Sequence, residues 1–273
     1  MSTPAACMLA LIGFLQPVPA GEAAADATEA DTLRDPAPDT LFTDWRFEVG
    51  ERHEYRIRVG PLRFGQGVFF VEGKEEVRGD TTYRLVLRVQ GKVPFFLSVT
   101  NEYTSWVKTR PALETLKFRQ ISREEGDHVY EVFPETRSYR RLDWNEETGD
   151  HVLVEEREGV VPPNALDEPA QIYLLRLLKT VEPGRTYQME KHFLPDMNPT
   201  TLHVVGRDRV RVPAGTYDVW VLHPSIPKSD LFSPEQDARV YMTTDSIRKI
   251  VQIESRVMGR PFTLYLDEYE SGG

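Results

Sequence analysis

Two histidines and one aspartate are placed where they could hold a metal ion. His192 and His203 fall in consecutive strand-like runs, and Asp196 lies in the loop between them. Consecutive antiparallel strands lie side by side, so the two imidazoles could face each other, and imidazole and carboxylate groups are common zinc ligands. Two half-exposed histidines joined by an ordinary loop explain the pattern more simply. Both interpretations stay open, and the sequence alone assigns no metal.

The usual catalytic motifs are missing from the sequence. It contains no Gly-x-Ser-x-Gly elbow, no Gly-Lys-Ser/Thr phosphate loop and no His-Glu-x-x-His zinc motif. Gly65-Gln66-Gly67 lies inside a strand pattern, where glycine more often marks a bulge or bend than a nucleotide loop. The sequence therefore predicts no catalytic residue and no cofactor, and it leans away from an enzyme without excluding one.

Several strands carry bulky side chains on both faces. A sheet that is apolar on both faces must cover both, and a strongly curved sheet can enclose an apolar interior that holds a lipid-like molecule. The alternative is that these rings are packed core and that no cavity exists. The aromatic candidates for ligand contact are Phe70, Trp106, Tyr130, Trp220 and Tyr265.

The loop from 224 to 237 adds two further candidates, Leu231 and Phe232. Apolar residues on a long loop can mark a lid or a contact with a partner protein. They can also fold back onto the sheet as a plug. The sequence does not decide between these two alternatives.

Alternating apolar and polar residues predict the elements that must position these side chains. Tyr55, Ile57 and Val59 alternate with Arg56 and Arg58, and similar runs recur as far as residue 266. A period of two is typical of antiparallel strands that are covered on one face. The predicted fold is mainly β: a large curved antiparallel sheet or open barrel-like domain.

One segment breaks the strand pattern and predicts a helix at about 167–180. Asp167 is a good N-cap, and Pro169 falls in the first turn, where its missing N–H does no harm. The apolar stripe of this helix needs a sheet to cover.

The run from Arg211 to Pro224 predicts a hairpin. A four-residue loop from Pro213 to Thr216 would pair Val212 with Tyr217 and Arg211 with Asp218. We therefore interpret this turn as a corner that sets strand register, not as a binding loop.

The N-terminus is typical of a secretory signal peptide. Residues 7–15 form an apolar run too short to span a bilayer, and the small residues before position 20 predict cleavage after Ala20. The predicted organisation is a signal peptide at 1–20, a disordered acidic linker at 21–40 and one β-rich domain at 41–273. The only cysteine, Cys7, would be lost with the signal, and no transmembrane span would remain after cleavage.

The charge balance excludes one class of partner. The chain has 273 residues and a formal net charge of -10. It has no basic footprint for nucleic acid. The sequence predicts a protein located in the periplasm or cell envelope, whose partner is a lipid-like small molecule or an envelope protein.

Several segments in order resemble an uncharacterised bacterial exported family, the domain of unknown function 3108. They begin at 47–72 ("FEVGERHEYRIRVGPLRFGQGVFFVE") and continue at 167–176 ("DEPAQIYLLR"), 210–222 ("VRVPAGTYDVWVL") and 238–255 ("ARVYMTTDSIRKIVQIES"). The resemblance implies an exported, mostly β protein and supplies no activity or catalytic residue.

Three functions remain open from the sequence. The first is a non-enzymatic protein that binds an apolar or amphipathic ligand in its curved sheet. The second is a structural or interaction module that acts through sheet edges or the 224–237 loop. The third is a hydrolase or metal-dependent enzyme whose polar residues converge only in the fold.

Overall fold

The computed structural model describes residues 33–34, 41–93, 97–123, 125–257 and 259–273. The predicted signal peptide and Cys7 lie outside the described residues, as does the predicted linker apart from residues 33–34. The predicted boundary at residue 41 therefore stays a prediction.

The described residues form fifteen strands and one α-helix, with short 3₁₀ turns at Pro195–Met197 and Pro234–Gln236. In chain order the elements are β1 (Leu33–Arg34), β2 (Arg52–Val59), β3 (Leu62–Val77), β4 (Asp80–Val93), β5 (Leu97–Lys108), β6 (Glu114–Ser122), β7 (Gly126–Phe133), β8 (Ser138–Asn145), β9 (Asp150–Arg157), α1 (Glu168–Arg176), β10 (Thr186–Met189), β11 (Thr200–Val212), β12 (Gly215–Ser225), β13 (Arg239–Thr243), β14 (Ile250–Val257) and β15 (Arg260–Glu270).

All fifteen strands belong to one open sheet. Its order is β1-β10-β11-β12-β13-β14-β15-β2-β3-β4-β5-β6-β7-β8-β9. Each half of the chain forms a meander, and the pairing of β15 with β2 joins the two halves. Apart from the parallel pairing of β1 with β10, the pairings between described strands are antiparallel. The predicted fold, an open antiparallel sheet with one covering helix, is confirmed.

The alternation predicted for β2 is confirmed by its burial. Tyr55 and Ile57 are buried and belong to the main core, whereas Arg56 and Arg58 are exposed. A covered face and a solvated face require this period of two. The sheet is curled, as a contact between strands that are not neighbours shows. The backbone N–H of Ala214, at the tip of the β11–β12 hairpin, donates to the carbonyl of Leu266 in β15.

The predicted register of the β11–β12 hairpin is wrong by two residues. Val212 pairs with Gly215, and Arg209 instead of Arg211 lies opposite Asp218. The turn is the two-residue loop Pro213-Ala214, and Gly215 adopts a φ of 145°, which favours glycine. A slip of two residues leaves every side chain on its predicted face, so alternation alone could not exclude it.

The predicted helix starts where expected and ends earlier than expected. Asp167 is its N-cap, and the Asp167 side chain accepts a hydrogen bond from the N–H of Ala170. The helix ends at Arg176 instead of about residue 180. Leu178 forms an isolated bridge with Phe42, and Lys179 donates to the carbonyl of Leu41, so the chain after the helix pairs with the segment that precedes β2.

Candidate ligand-binding site

The three residues proposed as metal ligands make separate contacts. His192 is buried, and its Nδ1 accepts a hydrogen bond from the N–H of Leu194. The Nδ1 atom of His203 lies 2.9 Å from the Thr186 hydroxyl. Asp196 accepts a bond of 2.5 Å from Lys228. Within the described part of the chain, no group of histidine, cysteine and acidic residues could hold a metal ion.

Phe70 and Trp106 lie among charged side chains. The guanidinium groups of Arg52 and Arg88 lie 5.4 and 5.1 Å from the centroid of the Phe70 ring. The indole N–H of Trp106 donates to Glu75 over 2.7 Å, and this bond lowers the pKa of the Glu75 carboxyl. Both rings are therefore engaged by charged groups.

The other three aromatic candidates are distributed through the core. Tyr130 packs against Phe193, with their ring centroids 5.3 Å apart, in a small second core cluster. Trp220 and Tyr265 belong to the main core, and Arg207 lies 4.3 Å from the centroid of the Trp220 ring. The structure does not gather the five predicted aromatics around one space.

The apolar residues of the 224–237 loop fold back onto the sheet. Phe232 is 4% exposed, and the carbonyl of Leu231 accepts a hydrogen bond of 2.7 Å from the Ser255 hydroxyl in β14. The Ser229 hydroxyl oxygen accepts the N–H of Phe232. Of the two alternatives for this loop, the geometry favours the plug.

Three carboxyl groups lie near the first turn of α1, beside this loop. Burial, together with the nearby carboxylates of Glu168 and Glu125, raises the pKa of Asp230 to about 8. Burial also raises the pKa of Glu168, which hydrogen-bonds with Ser229. A carboxyl that keeps its proton near neutral pH can act as a hydrogen-bond donor or general acid. Residues distant in sequence build this cluster, which explains why the sequence pattern did not identify it.

Helix α1 fills the concave side of the sheet. The Tyr173 side chain is fully buried, and its ring packs against Phe47 and Phe69 with centroids 5.0 and 4.7 Å away. Leu174 and Leu177 are also buried in the main core. The space that the curved sheet was expected to offer a ligand is therefore largely occupied by the helix.

A buried ion pair fixes the C-terminal end of the helix. Arg176 lies 2.5 Å from Glu51, and both side chains are almost fully buried. The Arg176 guanidinium also donates to the carbonyl of Arg248 over 3.0 Å and lies 4.0 Å from the centroid of the Phe47 ring. These contacts link the helix to the turn at Arg248, just before β14, and to the segment that contains Phe47 and Glu51, just before β2.

A buried carboxylate fixes the other end. Asp167 is fully buried and accepts hydrogen bonds of 2.7 Å from Ser105 and 2.9 Å from Thr115. The backbone N–H of Ala170 donates a third hydrogen bond to the same carboxyl group, as the N-cap bond of the helix. Burial raises the pKa of Asp167 to about 6, although these hydrogen bonds act in the opposite direction.

A cavity of about 260 Å³ lies beside the C-terminal half of this fixed helix. Its walls come from the segment before β2, the β5–β6 connection, the approach to α1 and the helix itself. The lining residues are Phe42, Thr43, Asp44, Trp45, Thr109, Pro111, Ala112, Leu113, Asn164, Leu166, Leu174, Leu177 and Lys191. Eight of these thirteen residues are apolar and five are polar or charged, and polar atoms make up more than half of the surface that faces the cavity.

Backbone hydrogen bonds hold the wall formed by the segment before β2. The N–H of Thr43 donates to the carbonyl of Leu177 over 2.7 Å, and the Thr43 hydroxyl donates to the same oxygen. The indole N–H of Trp45 donates to the carbonyl of Phe47 over 2.8 Å, which orients the ring. The wall is thus positioned by the helix end.

Polar groups also line the cavity. Asp44 is exposed, Asn164 is half-buried with a φ of 54°, and Lys191 is 4% exposed. A lining that combines apolar and polar groups suits a molecule that has both an apolar and a polar part. One signal in the sequence is the aromatic pair Phe42 and Trp45 just before the first long strand, but nothing local shows that they approach Leu177.

The fold and cavity define a helix-filled, open antiparallel β-sheet protein with a small cavity of mixed polar and apolar lining. Residues 54–267 match the family described as protein of unknown function (DUF3108), and the chain belongs to this family. This confirms the family resemblance inferred from the sequence.

Two solved structures are similar to this chain. One is a Brucella abortus protein described as β-barrel-like, of domain of unknown function DUF1849, with 10% identity, a TM-score of 0.47 and coverage of 83% of this chain and 99% of that chain. The other is a Bacteroides fragilis protein described as exported, with a YmcC-like fold, 11% identity, a TM-score of 0.34 and coverage of 85% and 99%. A search of the curated proteins found no match.

None of the helices in the described part of the chain has the length and apolar character needed to cross a bilayer.

Proposed function

We propose that the protein is an exported, non-enzymatic binding protein that holds the apolar part of a small amphipathic ligand in the cavity beside α1. The observation that carries this proposal is the mixed lining of that cavity, in which apolar side chains of the helix and of the facing segments stand beside polar groups. The binding residues are the helix side chains Leu174 and Leu177 and the facing side chains Trp45 and Leu113.

The size of the cavity limits the ligand. Its volume of about 260 Å³ is slightly below the usual range for drug-sized ligands. The cavity therefore suits one short acyl chain or a single ring system better than a two-chain lipid. Asp44, Asn164 and Lys191 would contact the polar end of the ligand.

A bulky side chain that fills the cavity should weaken the binding of an amphipathic ligand. Ala112→Trp places an indole against the cavity from the β5–β6 connection, so octanoic acid should bind at least about tenfold more weakly, a loss of roughly 1.4 kcal/mol. Isothermal titration of the purified protein with octanoic acid measures this change. Val205→Trp is the matched control, because Val205 is exposed on β11 and does not line the cavity.

The two variants separate the possible outcomes. Binding that is weakened by Ala112→Trp and unchanged by Val205→Trp supports the cavity. Equal affinity in all three proteins would place the ligand elsewhere, and this part of the proposal would be wrong.

Export is supported by the apolar run at 7–15 and the cleavage pattern that ends at Ala20. Expression of the whole sequence in a bacterium with a periplasm should yield a periplasmic protein that lacks its first 20 residues. Intact mass spectrometry of the fractionated protein measures this, and Leu11→Arg, which interrupts the apolar run, should keep the full-length chain in the cytoplasm. A full-length protein in the cytoplasm without that substitution would contradict export.

A further inference from the structure

A shallow cleft of about 390 Å³, wide open to solvent, lies where β3, β4 and β5 run side by side. The side chains that line it include two cations and four neutral groups able to donate hydrogen bonds: Arg63, Lys92, Gln66, Gln90, Ser98 and Thr100. Among the described residues that line it, none is an aspartate or glutamate. The lining of the cavity beside α1, by contrast, includes Asp44.

Strand register places these polar residues together. Gln66 pairs with Gln90, and Gln90 pairs with Thr100, so the three side chains share one face of the sheet. Lys92 pairs with Ser98 two residues further along the same face. Three adjacent strands therefore present a continuous row of donors.

The two cations of this cleft differ from two neighbouring arginines of the sheet, Arg56 and Arg88, which pair with carboxylates. Arg56 lies 2.5 Å from Asp267, and Arg88 lies 2.6 Å from Glu102. No ion pair joins Arg63 or Lys92 to another residue in the described ranges. Two cations without a carboxylate between them attract an anion locally, although the whole chain has a net charge of -10.

Two paired glycines let β3 and β4 pack closely on the core side of the sheet, behind the cleft. Gly65 pairs with Gly91, and a Cβ atom on Gly65 would lie 2.0 Å from the carbonyl oxygen of Gln90. A Cβ atom on Gly91 would lie 2.3 Å from the ring of Phe64, which is itself buried. Only glycine allows this close packing at Gly65 and Gly91. The register of β2 against β3 also shifts between Gly65 and Arg63, which agrees with the bulge expected at Gly65-Gln66-Gly67.

We propose that this cleft binds a phosphate group, either free or as part of a larger molecule. A phosphate offers several acceptor oxygens, which matches the planar fork of Arg63, the ammonium group of Lys92 and the amide and hydroxyl donors beside them. The site is separate from the cavity beside α1, so the proposal does not depend on the function proposed above.

Titration with inorganic phosphate, followed by amide NMR shifts, tests the site in the full mature protein. The double variant Arg63→Gln/Lys92→Gln should raise the Kd for phosphate at least about tenfold, because both charge-assisted contacts are lost. Arg209→Gln/Arg211→Gln is the matched control, since it also removes two exposed positive charges, from β11. Both pairs lie at the surface, so thermal unfolding should show native folding in each variant.

A second arm separates the sources of the phosphate. Co-sedimentation with phosphatidylglycerol vesicles, compared with phosphatidylcholine vesicles, tests a lipid headgroup. Binding in either arm that is lost in Arg63→Gln/Lys92→Gln and kept in the control supports the site and identifies the source. Binding that both double variants weaken equally, or no binding of phosphate or vesicles by the unsubstituted protein, overturns the proposal.

Discussion

Replacing Arg176 by methionine is expected to lower the free energy of unfolding by about 3–5 kcal/mol, the usual cost of leaving one member of a buried ion pair alone. Arg176 lies 2.5 Å from Glu51, and their side chains are 2% and 6% exposed. Methionine has a similar length and keeps the contact with Phe47, so the loss reports the charge and the hydrogen bond to Arg248. Urea unfolding followed by tryptophan fluorescence measures the effect.

The double variant Glu51→Leu/Arg176→Met is the control for this prediction. Because it removes both charges, it should recover much of the stability lost in Arg176→Met. A single variant within about 1 kcal/mol of the unsubstituted protein, or a double variant that loses the sum of both single effects, would show that the pair does not fix the helix.

Replacing Asp167 by alanine is expected to lower the free energy of unfolding by about 2–4 kcal/mol. The change removes an N-cap, which typically costs about 1 kcal/mol, and leaves the buried hydroxyls of Ser105 and Thr115 without their acceptor. Chemical denaturation at pH 7 measures the loss. Asp167→Asn keeps an acceptor for the cap on Ala170 and should lose much less.

The stability of Asp167→Asn and that of the unsubstituted protein should also depend differently on pH. Burial raises the pKa of Asp167 from 3.8 to about 6, so the folded state favours the protonated carboxyl. The contribution of this group to stability is greatest below about pH 4 and is lost as the pH rises through about 6. Between pH 4 and pH 7, the free energy of unfolding of Asp167→Asn should therefore rise by about 2 kcal/mol relative to that of the unsubstituted protein. A constant difference across that range would contradict the buried, proton-favouring site.

The sheet and the start of the helix could be predicted because their causes are local. The alternation of apolar and polar residues from Tyr55 to Arg58 predicted which side chains of β2 are buried. The N-cap at Asp167 could be predicted from Asp167 and the residues that directly follow it. The end of the helix was wrong because Leu178 pairs with Phe42, more than a hundred residues earlier. The hairpin register was wrong because a slip of two residues preserves every face.

The candidate site could not be predicted from the same patterns. Bulky residues on both strand faces suggested one apolar interior, but Phe70 and Trp106 lie among charged side chains instead. The cavity depends on how residues near 42, 112 and 177 meet, and such contacts leave no period in the sequence. An apolar stripe on a helix predicts that other residues cover it, but it does not predict where the packing leaves a cavity.

Organic extraction of the purified, periplasmic protein, followed by mass spectrometry of the extract, tests the central claim most directly. We expect a small amphipathic molecule in the extract, at up to about one per chain, and little or none from Ala112→Trp prepared in the same way. Val205→Trp should retain it. An extract free of any such molecule, from a protein that also fails to bind octanoic acid, would contradict the account, as would equal amounts recovered from Ala112→Trp and the unsubstituted protein.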